Sequence, residues 1–207
     1  MKLFLASLAS ATMDLVQPLL SDEPSNLKLA YIATAADTYP GASWIESDKQ
    51  KMSEMGFAYD VYDIKGKDVK TLRQELSTYD VIYVTGGNTF YLLYQARLSG
   101  FDIVIKELIS QGIVYIGGSA GSCILCPTVK HVTILDHPEQ VPELTNYSAL
   151  NLVPQLIVPH AGRDKYRARH EQIKAQYGDQ LLFLRDDQAL VVNDDKITIV
   201  TATSIKT

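Results

Sequence analysis

The chain has 207 residues, of which 46% are hydrophobic and 21% are charged, and its formal net charge is −5. This composition is typical of a folded protein with a full hydrophobic core, and it excludes a disordered chain and a coiled coil. The negative charge argues against a nucleic-acid partner, and no run reaches the roughly 20 apolar residues that cross a membrane.

Short apolar runs, typical of buried strands, occur at residues 2–7, 28–35, 80–84 and 113–117, and an alternating segment, also predicted as a strand, occurs at residues 58–64. Between them, apolar residues spaced three and four apart predict helices at residues 43–55, 68–77, 88–98 and 101–110. The pattern continues with a strand at 156–158, a helix at 164–177 and short strands at 181–184, 189–192 and 196–200. This alternation predicts one α/β domain over residues 1–207. We expect a three-layer, mostly parallel sheet with helices on both faces, flavodoxin-like, with the last two strands as an edge hairpin.

Two cysteines, Cys123 and Cys126, bear on the compartment and on metal binding. Two thiols complete neither a disulfide framework nor a four-ligand metal site, so we expect no metal and two buried thiols in a reducing cytoplasm. The apolar residues 2–7 imitate a secretory signal only weakly, and we interpret them as the first strand.

The segment Gly117-Gly118-Ser119-Ala120-Gly121 has the form G-x-S-x-G and follows a predicted buried strand. Glycines on both sides permit the sharp strand-to-helix turn that exposes a nucleophilic serine. Ser119 is therefore the candidate nucleophile, and the N–H of Ala120 is a candidate donor to an oxyanion. The alternative is an ordinary glycine-rich turn that happens to contain a serine.

Among the four histidines, His160 is the candidate general base. It follows a predicted apolar strand, so we expect it at the carboxyl edge of the same parallel sheet as Ser119, where open α/β sheets bind ligands. His131 lies outside a strand end, His137 falls in a polar loop, and His170 is expected to be solvated on a charged helix. The alternative for His160 is a structural histidine.

A second glycine motif, Gly86-Gly87-Asn88, follows the predicted strand at residues 80–84. Two glycines before a helix N-cap leave backbone N–H groups free to converge on one point. Beside an elbow serine, the N–H of Gly87 (or Gly86) is the second candidate oxyanion donor. Alone, the motif is equally consistent with an anion site at a helix N-terminus. The long polar segment 136–151 is expected to border the site.

The segments GGNTFYLL, YIGGSAG and VPHAG together resemble the dipeptidase E (aspartyl dipeptidase) family of serine peptidases, whose fold is related to class I glutamine amidotransferase-like domains. The resemblance covers residues 2–200 and implies that Ser119 is the nucleophile and His160 its base. It also implies a substrate-binding region that includes Asn88 and an arginine for an acidic substrate side chain. Arg169 is the nearest match to that arginine, and helical geometry places it beside the buried edge of its helix.

The resemblance also implies an acid late in the chain, after a leucine. Asp186 has this position, although aspartate stands where the family usually has glutamate. Asp187, its neighbour, and Asp136, which lies between serine and histidine in the chain, are alternatives. Such an acid orients the imidazole and stabilises the imidazolium. The alternative for Asp186 and Asp187 is a solvated turn.

The sequence therefore predicts a cytoplasmic serine peptidase that acts on small peptides, with a preference for N-terminal Asp and no cofactor. One alternative is an esterase or amidase that uses the same serine. Another is a flavodoxin-like module that binds an anion or nucleotide at the two glycine motifs. A glutamine amidotransferase is disfavoured because its elbow nucleophile would be cysteine. The oligomeric state is left open.

Overall fold

The computed structural model describes residues 1–203 and contains a central seven-stranded sheet. The strands of the described chain are β1 Lys2–Ala6, β2 Lys28–Ile32, β3 Ala58–Val61, β4 Val81–Val84, β5 Val114–Gly118, β6 Leu156–Ala161, β7 Leu181–Arg185, β8 Gln188–Asn193 and β9 Lys196–Thr201. The sheet order is β3-β2-β4-β5-β1-β8-β9, and β1 to β5 are parallel. β8 runs antiparallel to β1 and forms an edge hairpin with β9. The predicted mostly parallel sheet and its edge hairpin are confirmed.

Helices cover both faces of this sheet. The α-helices are α1 Ala9–Thr12, α2 Ser43–Glu54, α3 Val69–Leu76, α4 Thr89–Ser99, α5 Phe101–Ser110, α6 Ala120–Cys123 and α7 Arg167–Tyr177, with short 3-10 helices between them. Within residues 1–203, no helix combines the length and the apolar character needed to cross a bilayer.

The strand β4 shows why the sheet needs two helical layers. All four of its side chains are buried, and they alternate between two hydrophobic clusters. Ile82 and Val84 pack in the cluster that includes α3, α4 and α5, whereas Val81 and Tyr83 pack in the cluster that includes α1 and α2. Successive side chains of a strand point to opposite faces, so a fully apolar strand must be covered on both.

The predicted strand at residues 28–35 ends at Ile32, because Thr34–Ala36 form a 3-10 turn. This turn directs the carbonyl of Ala35 toward the second glycine motif, where it accepts a hydrogen bond from the N–H of Asn88 at 2.8 Å. The turn thereby connects the end of β2 to the start of α4.

A second, smaller sheet contains β6 and β7, which are parallel. The expectation that His160 lies at the edge of the same sheet as Ser119 is therefore wrong. β5 pairs with β4 and β1, and β1 pairs with β5 and β8. Both edges of these two strands are therefore occupied, and β6 cannot pair with the strand that precedes Ser119. The β6–β7 register shifts between Val158 and Ala161, and His160 lies in this irregularity with φ 61°.

Candidate active site

Ser119 lies at a sharp turn between β5 and α6. Its φ and ψ angles are 48° and −104°, a conformation that costs a non-glycine residue about 1–3 kcal/mol. Its N–H donates to the carbonyl of Ala6 at 3.0 Å, which anchors the turn to β1. A Cβ on Gly121 would lie 2.1 Å from the carbonyl oxygen of Val84, so only glycine permits this turn to approach β4. The G-x-S-x-G motif thus forms the predicted elbow, with Ser119 half-buried.

Three of the predicted site residues lie in one line of hydrogen bonds. The Oγ atom of Ser119 is 3.1 Å from Nε2 of His160, and Nδ1 of His160 is 2.7 Å from Oδ1 of Asp186. The side chains of His160 and Asp186 are 18% and 26% exposed, so they are shielded from bulk water without being sealed from it. A hydroxyl, an imidazole and a carboxylate in this order can transfer a proton from the hydroxyl to the imidazole.

Two further residues, Ser7 and Arg163, contact Asp186, although the sequence predicted neither contact and placed Arg163 nearer solvent. The hydroxyl of Ser7 donates to its Oδ1 at 3.0 Å and accepts a hydrogen bond from the N–H of His160 at 2.7 Å. The Nε of Arg163 donates to its Oδ2. Burial alone would raise the pKa of Asp186, but hydrogen bonds and charges from His160 and Arg163 outweigh burial and lower the pKa to about 2. The carboxylate is therefore ionised at neutral pH.

The two alternative acids have other partners. Asp136 accepts a hydrogen bond from the N–H of Thr89 at 2.9 Å, at the start of α4. Burial raises the pKa of Asp136 despite that hydrogen bond. Asp187 pairs with Arg185, with Nε and Oδ1 3.1 Å apart. Within residues 1–203, neither carboxylate makes a hydrogen bond with His160.

The two candidate oxyanion donors have unused N–H groups. Those of Gly87 and Ala120 donate to no acceptor within residues 1–203. Gly87 has φ 148°, and a Cβ there would lie 2.0 Å from the carbonyl oxygen of Ala35, so this turn requires glycine. A Cβ on Gly86 would lie 3.1 Å from the Cβ of Ser119, which shows that the glycine turn packs against the elbow. Both free donors thus lie beside the serine.

Asn88, expected in the substrate-binding region, instead caps α4. It is fully buried, and its Oδ1 accepts hydrogen bonds from the N–H groups of Phe90 and Tyr91 at 2.9 and 3.1 Å. Its Nδ2 donates to the carbonyl of His137 and to Oε1 of Gln140, both at 3.0 Å. Asn88 therefore attaches the segment after Asp136 to the helix and does not line the cleft.

Arg169 is exposed on α7 and lies outside the cleft, contrary to the expected position at the buried edge of that helix. The buried residues of α7 are His170 and Ile173. The expectation that His170 is solvated is also wrong, because its ring packs against Phe183 with centroids 5.6 Å apart. An exposed guanidinium on α7 keeps its hydration, whereas the weakly polar imidazole fills the space against β7.

The cleft around Ser119 has a volume of about 580 Å³. Its lining includes two cationic side chains, those of Arg163 and Lys165. A further carboxyl in the lining, Asp48, is buried and accepts hydrogen bonds from Tyr31 and Thr85. Burial raises the pKa of Asp48 more than these hydroxyls lower it. In the described part of the chain, no group of three His, Cys, Asp or Glu side chains could hold a metal ion.

Comparisons with known proteins agree on one family. The model of peptidase family S51 matches residues 4–200. The uncharacterized peptidase Lin0382 of Listeria innocua is 32% identical over 195 residues, which cover 92% of this chain and 93% of that protein. Peptidase E of a Nostoc species is 29% identical over 160 residues, covering 77% of this chain and 63% of that protein. The crystal structure of a candidate peptidase E from Listeria monocytogenes has a TM-score of 0.91 at 28% identity, with 98% of each chain covered.

Proposed function

The chain belongs to peptidase family S51 and is a peptidase of the dipeptidase E type, and we propose that it hydrolyses small peptides with Ser119 as nucleophile, His160 as general base and Asp186 as the orienting acid. The observation that carries this proposal is the continuous line of contacts from Ser119 Oγ through His160 to Asp186, at 3.1 and 2.7 Å.

The proposed reaction follows from this arrangement. Ser119 Oγ attacks the carbonyl carbon of the scissile peptide bond while Nε2 of His160 takes the hydroxyl proton. The imidazolium then gives this proton to the leaving amine, and water, activated by the same imidazole, hydrolyses the acyl-enzyme. The N–H groups of Gly87 and Ala120 stabilise the oxyanion, and each such donor is typically worth about 10²–10³ in rate.

A preference for an N-terminal Asp is the finer part of the proposal. Arg169 is not positioned to carry it, because it lies outside the cleft. Lys165 lines the cleft, and its Nζ lies 4.7 Å from the ring centroid of Tyr166. Within residues 1–203, Lys165 has no carboxylate partner, so we assign it, rather than Arg169, as the cation that meets a substrate carboxylate.

The anion-binding alternative has less support. In the first turn of α4, the N–H of Thr89 already donates to Asp136, and those of Phe90 and Tyr91 donate to Asn88. An anion at this helix end would approach the carboxylate of Asp136, and like charges repel. A nucleotide phosphate is therefore disfavoured there.

Two further parts of the proposal concern the compartment and the domain. Cys123 and Cys126 are both buried free thiols, which supports a reducing, cytoplasmic setting. We also propose that residues 1–207 act as a single peptidase domain, since the family match spans residues 4–200.

Labelling with a fluorophosphonate, followed by mass spectrometry of the modified peptide, tests the nucleophile. We expect labelling at Ser119 in the wild type, none in Ser119→Ala, and unchanged labelling in Ser110→Ala, which alters an exposed serine at the end of α5. A panel of dipeptides and activated esters then separates a peptidase from an esterase. Labelling of Ser119→Ala at the wild-type rate, or turnover of esters alone, would overturn the assignment.

A further inference from the structure

We propose that residues 163–166, here called the brace, hold the imidazole of His160 and the carboxylate of Asp186 in their reactive geometry. The inference rests on the proposed function, in which these two side chains belong to a triad. Its two positioning residues are Arg163 and Tyr166, and each contacts a different member of the pair.

Arg163 fixes the carboxylate. Its Nε donates to Oδ2 of Asp186, whereas His160 and Ser7 contact Oδ1. Rotation of the carboxylate about its last side-chain torsion would therefore break contacts at both oxygens. Hydrogen bonds between a guanidinium and a carboxylate are short and strong, because both partners are charged. Without Arg163, Oδ2 would keep no partner among the described residues, and the side chain of Asp186 is partly exposed to water.

Tyr166 fixes the imidazole. Its ring stacks on that of His160, with centroids 5.7 Å apart and 24° between the planes. Beyond Tyr166, the ring of His170 follows at 5.8 Å, and Phe183 of β7 follows at 5.6 Å from His170. Because this row of rings ends on a strand, it restricts rotation of the His160 ring toward α7. The backbone of His160 has φ 61°, so the ring needs such support from outside its own strand.

A single compact turn delivers both contacts. The N–H of Arg163 donates to the carbonyl of His160 at 3.3 Å, and the N–H of Tyr166 donates to the carbonyl of Arg163 at 3.0 Å. Asp164–Tyr166 form one 3-10 turn that leads directly into α7. The brace therefore begins three residues after His160. The contact of Arg163 with Asp186 and that of Tyr166 with His160 thus come from one four-residue segment.

Several charged and titratable groups surround the pair formed by His160 and Asp186. Arg163 lies beside Asp186 itself, Lys165 lies over the Tyr166 ring, His170 lies behind that ring, and Asp136 lines the same cleft as His160. Arg163 also lines the cleft, so a direct role in substrate binding is the competing explanation. Replacing a residue that binds the substrate would raise KM. Replacing a positioning residue would instead lower kcat and the reactivity of Ser119.

The experiment compares Arg163→Gln, Arg163→Lys, Tyr166→Leu and Tyr166→Phe with the wild type, and it uses Arg169→Gln as the control. The readouts are the rate of fluorophosphonate labelling between pH 5 and pH 9, and kcat and KM on a dipeptide. We expect Arg163→Gln and Tyr166→Leu to lose about 10- to 100-fold in labelling rate and in kcat with little change in KM, since small misplacements have costs of this order. Arg163→Lys and Tyr166→Phe should recover most of the loss.

The pH profile gives a second readout that a purely structural role would not move. Arg163 places a positive charge on the carboxylate that contacts His160, so its loss changes the charge balance of the pair. The pH dependence of labelling should therefore change in Arg163→Gln and stay in place in Arg163→Lys and in the control. Wild-type kcat and pH profile in Arg163→Gln, or a change confined to KM, would overturn the brace while leaving the proposed function intact. Absence of labelling in the wild type would overturn both.

Discussion

Asp136 accepts a hydrogen bond from the N–H of Thr89 at 2.9 Å, so its carboxylate contacts the first turn of α4. The imidazole of His160 instead contacts Asp186, which follows β7. The acid that lies in sequence between serine and histidine thus has another partner, and the proposed triad has the chain order serine, histidine, acid.

The first prediction concerns this choice of acid. We expect Asp186→Asn to lower kcat by about 10⁴-fold, because an amide cannot stabilise the imidazolium or select the correct tautomer. Asp136→Asn and Asp187→Asn should each keep kcat within about tenfold of the wild type, since neither side chain contacts His160. Steady-state kinetics on one dipeptide measures all three. A fall in kcat for Asp136→Asn as large as that for Asp186→Asn would contradict the assignment of Asp186 as the orienting acid.

The second prediction concerns the stability of the elbow. A Cβ on Gly121 would lie 2.1 Å from the carbonyl oxygen of Val84, and a backbone carbonyl cannot move aside as a flexible side chain can. We expect Gly121→Ala to lower the free energy of unfolding by about 3 kcal/mol or more. Gly41→Ala, at a position with φ 72° and open space, should cost only about 1–2 kcal/mol. Urea denaturation compares the two, and equal losses would contradict this account of the turn.

The third prediction links the charge of Asp186 to stability. Its pKa falls from an ordinary value of 3.8 to about 2 on folding. A carboxyl with a lowered pKa contributes stability that is fully present above the unfolded value and is lost as the pH falls toward the folded value. The difference in unfolding free energy between the wild type and Asp186→Asn should therefore shrink as the pH falls from about 4 to about 2. Chemical denaturation at several pH values measures this difference. If the difference in unfolding free energy does not change down to pH 2.5, Asp186 is not an ionised, paired carboxylate.

The fourth prediction concerns the substrate carboxylate. Lys165 is exposed at the cleft, so a contact with an N-terminal Asp should be modest, like other exposed ion pairs. We expect Lys165→Gln to reduce the ratio of kcat/KM for Asp-X over Asn-X dipeptides by about two- to fivefold. Arg169→Gln should leave the ratio unchanged. A fall in the ratio for Arg169→Gln but not for Lys165→Gln would assign the substrate carboxylate to Arg169 instead.

Local patterns in the sequence predicted much of the fold and of the proposed triad. The apolar run Val81–Val84 and the glycines around Ser119 specify a buried strand and a sharp turn through their own sterics. Strand pairing is not predicted in this way. The short apolar run that forms β6 would have the same composition in the central sheet as in a separate sheet. Which sheet it joins depends on strands far along the chain.

The substrate-binding residues illustrate a second limit. The position of Asn88 before α4 predicts a helix cap, and a side chain whose amide already bonds the helix end and the following loop has no group left for a substrate. The sequence around Arg163 and Ser7 does not predict their contacts with Asp186, because Asp186 lies 23 and 179 positions away in the chain. Contacts across such separations leave no periodic signal in a single sequence.

The placement of β1 between β5 and β8 has a consequence for how the enzyme is made. As the polypeptide leaves the ribosome, the elbow with Ser119 emerges about 67 residues before Asp186, and β8 is required to close the sheet beside β1. During synthesis, the contact between His160 and Asp186 can therefore form only after a further 67 residues have followed Ser119, and the sheet is complete only when β8 has paired with β1.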